Sequence, residues 1–429
     1  MPLRLGIAGL GTVGTGVVKL VQRGADLLAA RAGRPVEIRA ISARERNKDR
    51  GVDLSRYAWE EDPVALAGRA DIDVVIELIG GAEGPAADLV QKALKAGKHV
   101  VTANKALMAQ SGFFLAELAE SQGVSLSYEA SVAGGIPVIK TLREGFAGNE
   151  IRAVYGILNG TCNYILTAMR ETGQGFETIL REAQAKGYAE ADPRFDVDGI
   201  DAAHKLCILT SLAFGVRPDF RAMSIQGIRH INATDIAFAE DLGYRIKLLG
   251  IAERTKEGLM QILEPCLVPI SSPMGGIEDV YNAVYIEGDF VQAQLLTGRG
   301  AGEGPTASAV MSDVMDIARG VRLPTFGVPA EKLEQAQWLA VGETVSRFYI
   351  RLMVLDRPGV IAEVSAILKE LDISIEGLLQ RGRDPGQPVP IVLTTHETRQ
   401  AVLREACRLF GALSSVVDVP CLIRIEDLR

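Results

Sequence analysis

The stretch Leu3-Arg4-Leu5-Gly6-Ile7-Ala8-Gly9-Leu10-Gly11-Thr12-Val13-Gly14 decides the fold. Its first eight residues are an apolar run of strand length. Glycines then fall at positions 9, 11 and 14, and VVKLVQRGADLLAA (17–30) continues as a helix. Glycines in this spacing permit a tight turn and let the backbone approach a pyrophosphate at a helix N-terminus. The pattern alone is weak; a strand before it and a helix after it supply the context of a dinucleotide site. Gly9, Gly11 and Gly14, with Thr12 and Val13, are therefore candidate cofactor-binding residues.

Outward from the turn, VEIRAIS (36–42), IDVVIELIG (72–80), KHVVTAN (98–104) and VSLSYEA (124–130) read as strands. PAADLVQKALKAG (85–97) and KALMAQSGFFLAELAESQG (105–123) read as helices between them. Strands alternating with helices predict a parallel sheet covered on both faces, an α/β Rossmann-type domain over residues 1–130. After residue 131 the rhythm changes. Helices at 162–171, 176–187 and 201–215, then extended segments at 245–254, 259–270 and 282–296, predict an α+β catalytic and dimerisation domain over 131–300. The glycine-rich segment and helix at 298–320 can fold back onto the first domain, so residues 301–320 are assigned to it, with Gly302 as a candidate cofactor contact. Residues 321–347 have the texture of a linker. Residues 348–429 read strand, helix, strand, strand, helix, strand: a ferredoxin-like βαββαβ domain.

The second strand of the Rossmann pattern ends without an acid that would bind the ribose hydroxyls of NAD. Arg44, Arg46 and Lys48 follow it instead and could meet a 2′-phosphate. NADP(H) is favoured over NAD(H), with a solvated basic loop as the plain alternative. In Val101-Thr102-Ala103-Asn104-Lys105, the lysine falls past the carboxyl end of a strand, where ligands bind in open α/β sheets. A cation is poorly placed at a helix start unless it has another task. Thr102 and Lys105 join the candidate cofactor set.

GYAEADPRFDVDGIDAAHK (187–205) gathers five carboxylates ahead of one lysine. A calcium loop built on Asp196, Asp198 and Gly199 fails, because Arg194 and Lys205 fall where acidic ligands belong. Asp192 and Asp198 suit a solvated loop. Asp201 and Lys205 lie four apart at a helix start and share a face. A carboxylate there can hold the lysine rotamer and keep it charged against burial, which is how a general acid is positioned.

The composition is that of a soluble globular protein: 48% hydrophobic, 23% charged, formal net charge −8 over 429 residues. No basic stripe suggests nucleic acid, and no apolar run is long enough to span a bilayer. The five cysteines have no Cys-x-x-Cys pair and the four histidines are scattered, which argues against zinc. Cys162 reads as packing. With no recognisable signal peptide, the expectation is a cytoplasmic protein in a reducing compartment.

GLGTVG, TANKALMA, YEASVAGGIP, GILNGTCNYILT and GYAEADPRFDVDGIDAAHKLCIL together closely resemble the homoserine dehydrogenase family, in the same order along nearly the whole chain. DRPGVIAEVSAILKELDISI resembles an ACT domain, an amino-acid-sensing module. The resemblance implies NAD(P)-dependent interconversion of L-homoserine and L-aspartate 4-semialdehyde in threonine, methionine and isoleucine biosynthesis. It implies that Lys205 donates a proton to the forming alkoxide, Lys105 bridges cofactor and substrate, and Asp201 orients Lys205. Glu190 would receive the substrate ammonium, and Gly160, Thr161, Tyr188 and Asp196 match substrate contacts. It further implies a sodium ion held by Glu129 and the carbonyls of Val132, Gly134 and Ile136, a threonine effector at the ACT domain, and a homodimer or homotetramer. The alternatives are a dehydrogenase for another amino-acid semialdehyde and a non-catalytic nucleotide- and amino-acid-sensing regulator.

Overall fold

Leu3–Ala8 is the hinge of the first sheet. It pairs in parallel with Val36–Ser42 on one side and Val74–Glu77 on the other. Ala58–Trp59 lies beyond the former, and His99–Thr102 then Leu126–Ser127 beyond the latter, all parallel. The strand order reverses at Leu3–Ala8, so its carboxyl end, at Gly9, is a switch point where open α/β sheets bind ligands. The structure is a computed structural model and describes residues 1–380, 384 and 386–428.

The chain divides into two compact units. The first comprises residues 1–160, 203–223 and 281–336. Its Rossmann core joins Ile7, Ile41 and Ile76 of the sheet to Val17, Val18 and Val21 of the Thr12–Arg23 helix. The Glu303–Ala318 helix closes the same core with Ala307, Val310, Met311 and Val314. Gly16 is what lets the two helices meet, since a Cβ there would come within 2.8 Å of the Glu303 side chain. Each large aliphatic buried here contributes about 1.5–3 kcal/mol. Ile151–Ile157, Tyr281–Gly288 and Gln292–Arg299 form an antiparallel ladder in this unit.

Local details depart from the sequence expectation for physical reasons. The helix expected over 17–30 is two, Thr12–Arg23 and Ala25–Ala32, broken at Gly24. The strand expected over 124–130 stops at Ser127. Glu129–Ser131 is a 3₁₀ turn there, and the Glu129 amide donates to Asp313 Oδ2 at 2.8 Å instead of to a neighbouring strand. The extended segment 282–296 turns back on itself at 289–291. Within the segment of linker texture, Thr325, Phe326, Ala330 and Leu333 are buried, and Tyr128 Oη donates to the Thr325 carbonyl at 2.8 Å, while Val321 and Leu323 are exposed.

The second unit comprises residues 161–202, 224–280 and 337–429. Its base is the antiparallel hairpin of Tyr244–Arg254 and Leu259–Pro269. Cys421–Ile425 runs parallel to Leu259–Pro269 and antiparallel to Val345–Leu355, followed by Pro388–Thr395 and Ile375–Gln380. In order of sequence these last four strands lie 4-1-3-2, the ferredoxin-like arrangement. Val360, Val364 and Leu368, four apart, turn one face of the Val360–Glu370 helix into the core, where Leu403 and Phe410 of the Gln400–Gly411 helix meet them. The Ala233–Asp241 helix, not apparent from hydrophobic periodicity, opens with a capping box between Asn232 and Asp235.

Candidate active site

The glycine turn has the geometry of a dinucleotide cradle. Gly9 has φ +96°, and a Cβ there would lie 2.5 Å from the Leu78 carbonyl oxygen. A Cβ on Gly14 would overlap the Gly9 carbonyl. Gly11 caps the helix without a side-chain hydrogen bond, and Gly11 and Thr12 are exposed beside half-buried Val13. The first-turn amides are thus open to an anionic group. Arg44 is exposed just beyond the Val36–Ser42 strand. The loop that carries it is tied by Arg50, whose Nε donates to the Leu10 carbonyl at 3.1 Å and whose Nη2 donates to the Glu45 carbonyl at 2.6 Å. Gly302, at φ +118°, caps the Glu303–Ala318 helix.

A buried acid organises the neighbouring strand ends. Glu77 is fully buried and accepts from the Thr102 hydroxyl at 2.6 Å and from the amides of Ile79 and Gly80 at 2.7 and 2.9 Å. Thr102 in turn accepts from the Asn104 amide at 3.0 Å. The Asn104 side chain accepts from the Leu107 amide and donates to the Gly81 carbonyl. Lys105 is therefore the first residue of a capped helix, Lys105–Ser121, on a pinned strand end. Hydrophobic pattern did not point to Glu77 or Asn104. The available signals were an acid ending an apolar strand and an N-cap residue.

Lys205 stands on the Ile200–Phe214 helix with only 8% of its surface exposed. Its ammonium donates to the Leu158 carbonyl at 2.7 Å, just past the end of the Ile151–Ile157 strand. Asp201 lies one turn earlier on the helix and is also buried. An ammonium carries three N–H donors, and the Leu158 carbonyl takes one of them.

In the second unit, the acidic loop separates into tasks. Asp192 is held by a forked Arg194 contact at 2.6–2.8 Å, which draws its carboxyl down to about 2. Asp198 pairs with Arg229. Glu190 is exposed, and Asp196 is half-buried with its carbonyl accepting from Cys162 Sγ at 3.2 Å. Thr161 Oγ1 donates to the Tyr188 carbonyl at 2.7 Å. Tyr188 lies edge-on to Tyr164 at 4.9 Å between centroids, and Lys186 donates to the Tyr164 hydroxyl at 2.8 Å. Gly160, half-buried, belongs to the first unit.

Glu129 is 1% exposed, and its two carboxylate oxygens accept from the amides of Ile139 and Lys140 at 3.0 and 2.9 Å. Burial, reinforced by Asp313, pushes its pKa up, and burial does the same to Asp313, whose Oδ1 has no hydrogen-bond partner among the described residues. Between Val132 and Ile136 the chain turns through left-handed Ala133 and Gly134, at φ +54° and +40°. Each Glu129 oxygen keeps a lone pair, and the turn that follows in the chain carries the carbonyls of Val132, Gly134 and Ile136; oxygen donors of this kind suit a hard cation.

Three family models match the chain. A homoserine dehydrogenase model covers residues 137–315, a homoserine dehydrogenase NAD-binding domain model residues 9–129, and an ACT domain model residues 348–406. A homoserine dehydrogenase of Neisseria gonorrhoeae is 42% identical across 100% of this chain and 99% of its own length. One of Pseudomonas aeruginosa is 43% identical, with both chains covered completely. A crystal structure of a homoserine dehydrogenase from Thiobacillus denitrificans superposes with a TM-score of 0.94 at 40% identity, covering 100% of this chain and 99% of that one. With the strand-turn-helix cradle, the buried Lys205 and the C-terminal module in one order, the chain belongs to the homoserine dehydrogenase family, NAD(P)-dependent oxidoreductases acting on a CH–OH group, and carries a C-terminal ACT domain.

Proposed function

We propose that the protein interconverts L-aspartate 4-semialdehyde and L-homoserine with NADP(H), and that Lys205 is the proton donor. The observation that carries the reading is the Lys205 ammonium, buried and held at 2.7 Å from the Leu158 carbonyl. The bound nicotinamide supplies or accepts the hydride. The residues of the chain manage charge and position. Reduction of an aldehyde puts negative charge on oxygen, and an ammonium stabilises that charge and then gives it a proton. Lys105, on its pinned strand end, bridges cofactor and substrate. Asp201 orients Lys205. Glu190 receives the substrate ammonium, with Gly160, Thr161, Tyr188 and Asp196 as further substrate contacts. The cofactor lies against Gly9, Gly11, Thr12, Val13 and Gly14, with Thr102 and Gly302 beside it. Arg44 meets the 2′-phosphate that separates NADPH from NADH.

A sodium ion held by Glu129, Val132, Gly134 and Ile136 belongs to the same reading, and would supply a counter-charge for the buried acids. The ACT domain binds threonine at the turn 356–359. There Gly359, at φ +96°, caps the Val360–Glu370 helix beside a cavity of about 500 Å³. The working form is a cytoplasmic homo-oligomer that serves threonine and methionine biosynthesis. Steady-state turnover of aspartate semialdehyde with NADPH and NADH, with and without threonine, tests these points together. Equal kcat/KM for the two cofactors removes the Arg44 role, and an unaltered rate with threonine removes the effector.

A further inference from the structure

Within the second unit, residues 224–235 form a strap against the loop that carries Asp196. Ser224–Ile225 pairs in parallel with Ile262 and Leu263, and the Gln226 amide donates to the Leu263 carbonyl at 2.7 Å. The chain then passes so close to Val197 and Asp198 that no side chain fits between them. A Cβ on Gly227 would lie 2.1 Å from the Val197 carbonyl oxygen and 2.5 Å from the Asp198 Cα. Gly227 is not in the left-handed region, so the glycine serves close approach and not a turn. The Ile228 amide donates to the same Val197 carbonyl at 2.9 Å, and the side chains of Ile228 and Val197 are fully buried.

Two residues beyond Val197 the loop is gripped again. Gly199, at φ +88°, would place a Cβ 2.7 Å from Leu263 Cδ2 and 3.3 Å from Ile225 Cγ2. The strap itself is fixed at its other end. It runs through buried Ile231 to the Asn232 cap, where Asp235 accepts from Arg351 Nε at 2.7 Å and from the Tyr349 hydroxyl at 3.1 Å. Arg229 also pairs with Asp198, but those side chains are 42% and 41% exposed, and a pair so placed adds little. The backbone contact at Gly227 and Ile228 therefore sets the loop. Val197 follows Asp196 directly in the short Arg194–Val197 helix, so a fixed Val197 carbonyl fixes the Asp196 backbone with it.

We propose that Gly227 and Ile228 are positioning residues for the substrate-binding loop, holding Asp196 where it meets the substrate. This role rests on the reading of Asp196 as a substrate contact and adds the element that keeps it in place. A loop already held spares substrate binding the cost of ordering it. Loosening the strap therefore acts on substrate KM more than on kcat.

The test is steady-state oxidation of L-homoserine by the full chain with NADP⁺. Gly227→Ala forces the two backbones apart and should raise the KM for L-homoserine about tenfold or more, the scale of a small misplacement at a binding group. The KM for NADP⁺ should stay at its wild-type value. Ile228→Ala removes buried bulk beside the same hydrogen bond without adding a clash, and should raise the same KM to a lesser degree; it decides the matter if Gly227→Ala does not fold. Arg229→Ala should leave that KM unchanged. A variant that is merely destabilised loses kcat through a smaller active fraction and keeps its KM. Asp196→Asn is the reference and should raise the KM for L-homoserine. If it does so while Gly227→Ala and Ile228→Ala lower only kcat or change nothing, the positioning role is overturned and the substrate contact stands. A rise in Arg229→Ala equal to that in Gly227→Ala would also overturn it, by assigning the loop to the ion pair. An unchanged KM in Asp196→Asn would remove the substrate contact itself, and the positioning role with it.

Discussion

The Lys205 ammonium donates to the Leu158 carbonyl across 2.7 Å, joining the Ile200–Phe214 helix to the end of the Ile151–Ile157 strand within the first unit. This fixes where the one ammonium of that helix can act. A flexible surface lysine would spend most of its time elsewhere; this one is held by burial and by its hydrogen bond to the Leu158 carbonyl.

Glu77 pins the strand ends beside the cofactor turn, with three donors converging on a fully buried carboxylate. Glu77→Ala leaves the Ile79 and Gly80 amides and the Thr102 hydroxyl without their acceptor. A stability loss of about 3 kcal/mol or more is expected from several unmet buried donors. The KM for the nicotinamide cofactor should rise as well, because Thr102 and the capped start of the Lys105–Ser121 helix lose their fixed position. Chemical denaturation and cofactor titration of the variant check both; a stable variant with an unchanged KM would contradict it.

Asp235 carries the attachment of the ACT module through Arg351 and Tyr349. Removing one partner of a buried pair strands the other. Asp235→Ala should cost about 3–5 kcal/mol. Replacing both partners with apolar residues, as in Asp235→Leu with Arg351→Met, should recover much of that loss. Equilibrium denaturation of the single and double variants measures the difference.

Lys247 is 3% exposed and donates to Asn163 Oδ1 at 3.1 Å and to the Ile277 carbonyl. Burial pushes its pKa down to about 8. Below pH 8 the folded and unfolded forms are both protonated, and the full cost of the buried charge is present. Between pH 8 and the ordinary lysine value the unfolded chain binds the extra proton, so stability rises with pH. Wild type should gain about 2 kcal/mol over Lys247→Met between pH 7.5 and 9.5. Urea midpoints for both proteins at the two pH values test this; parallel shifts would rule the effect out.

Much of the architecture was legible because it rests on short-range signals. Gly9, Gly11 and Gly14 between a strand and a helix identify the dinucleotide turn, and the βαββαβ order of the C-terminal module follows from amphipathic periodicity. What escaped was held by long-range polar contacts. The strand at 124–130 ends early because the Glu129 amide finds Asp313, 184 residues away. The Ala233–Asp241 helix is specified by its cap more than by a hydrophobic face, and Asp235 serves both that cap and Arg351. Lys105 stood out in the sequence as a cation past a strand end at a helix start, and Asp201 and Lys205 as an acid and a lysine four apart at the start of an apolar helix. Glu77 and Arg50 did not, because their roles depend on backbone groups that only the folded chain brings to them.

The most direct test of the central claim is the turnover of aspartate semialdehyde by Lys205→Met with saturating NADPH. The variant is matched in shape and should bind the cofactor as wild type does, checked by fluorescence titration of NADPH. A fall in kcat of about 10²–10⁴ is expected, the usual contribution of a positioned general acid. A variant that binds NADPH normally and keeps wild-type kcat would show that the proton comes from elsewhere.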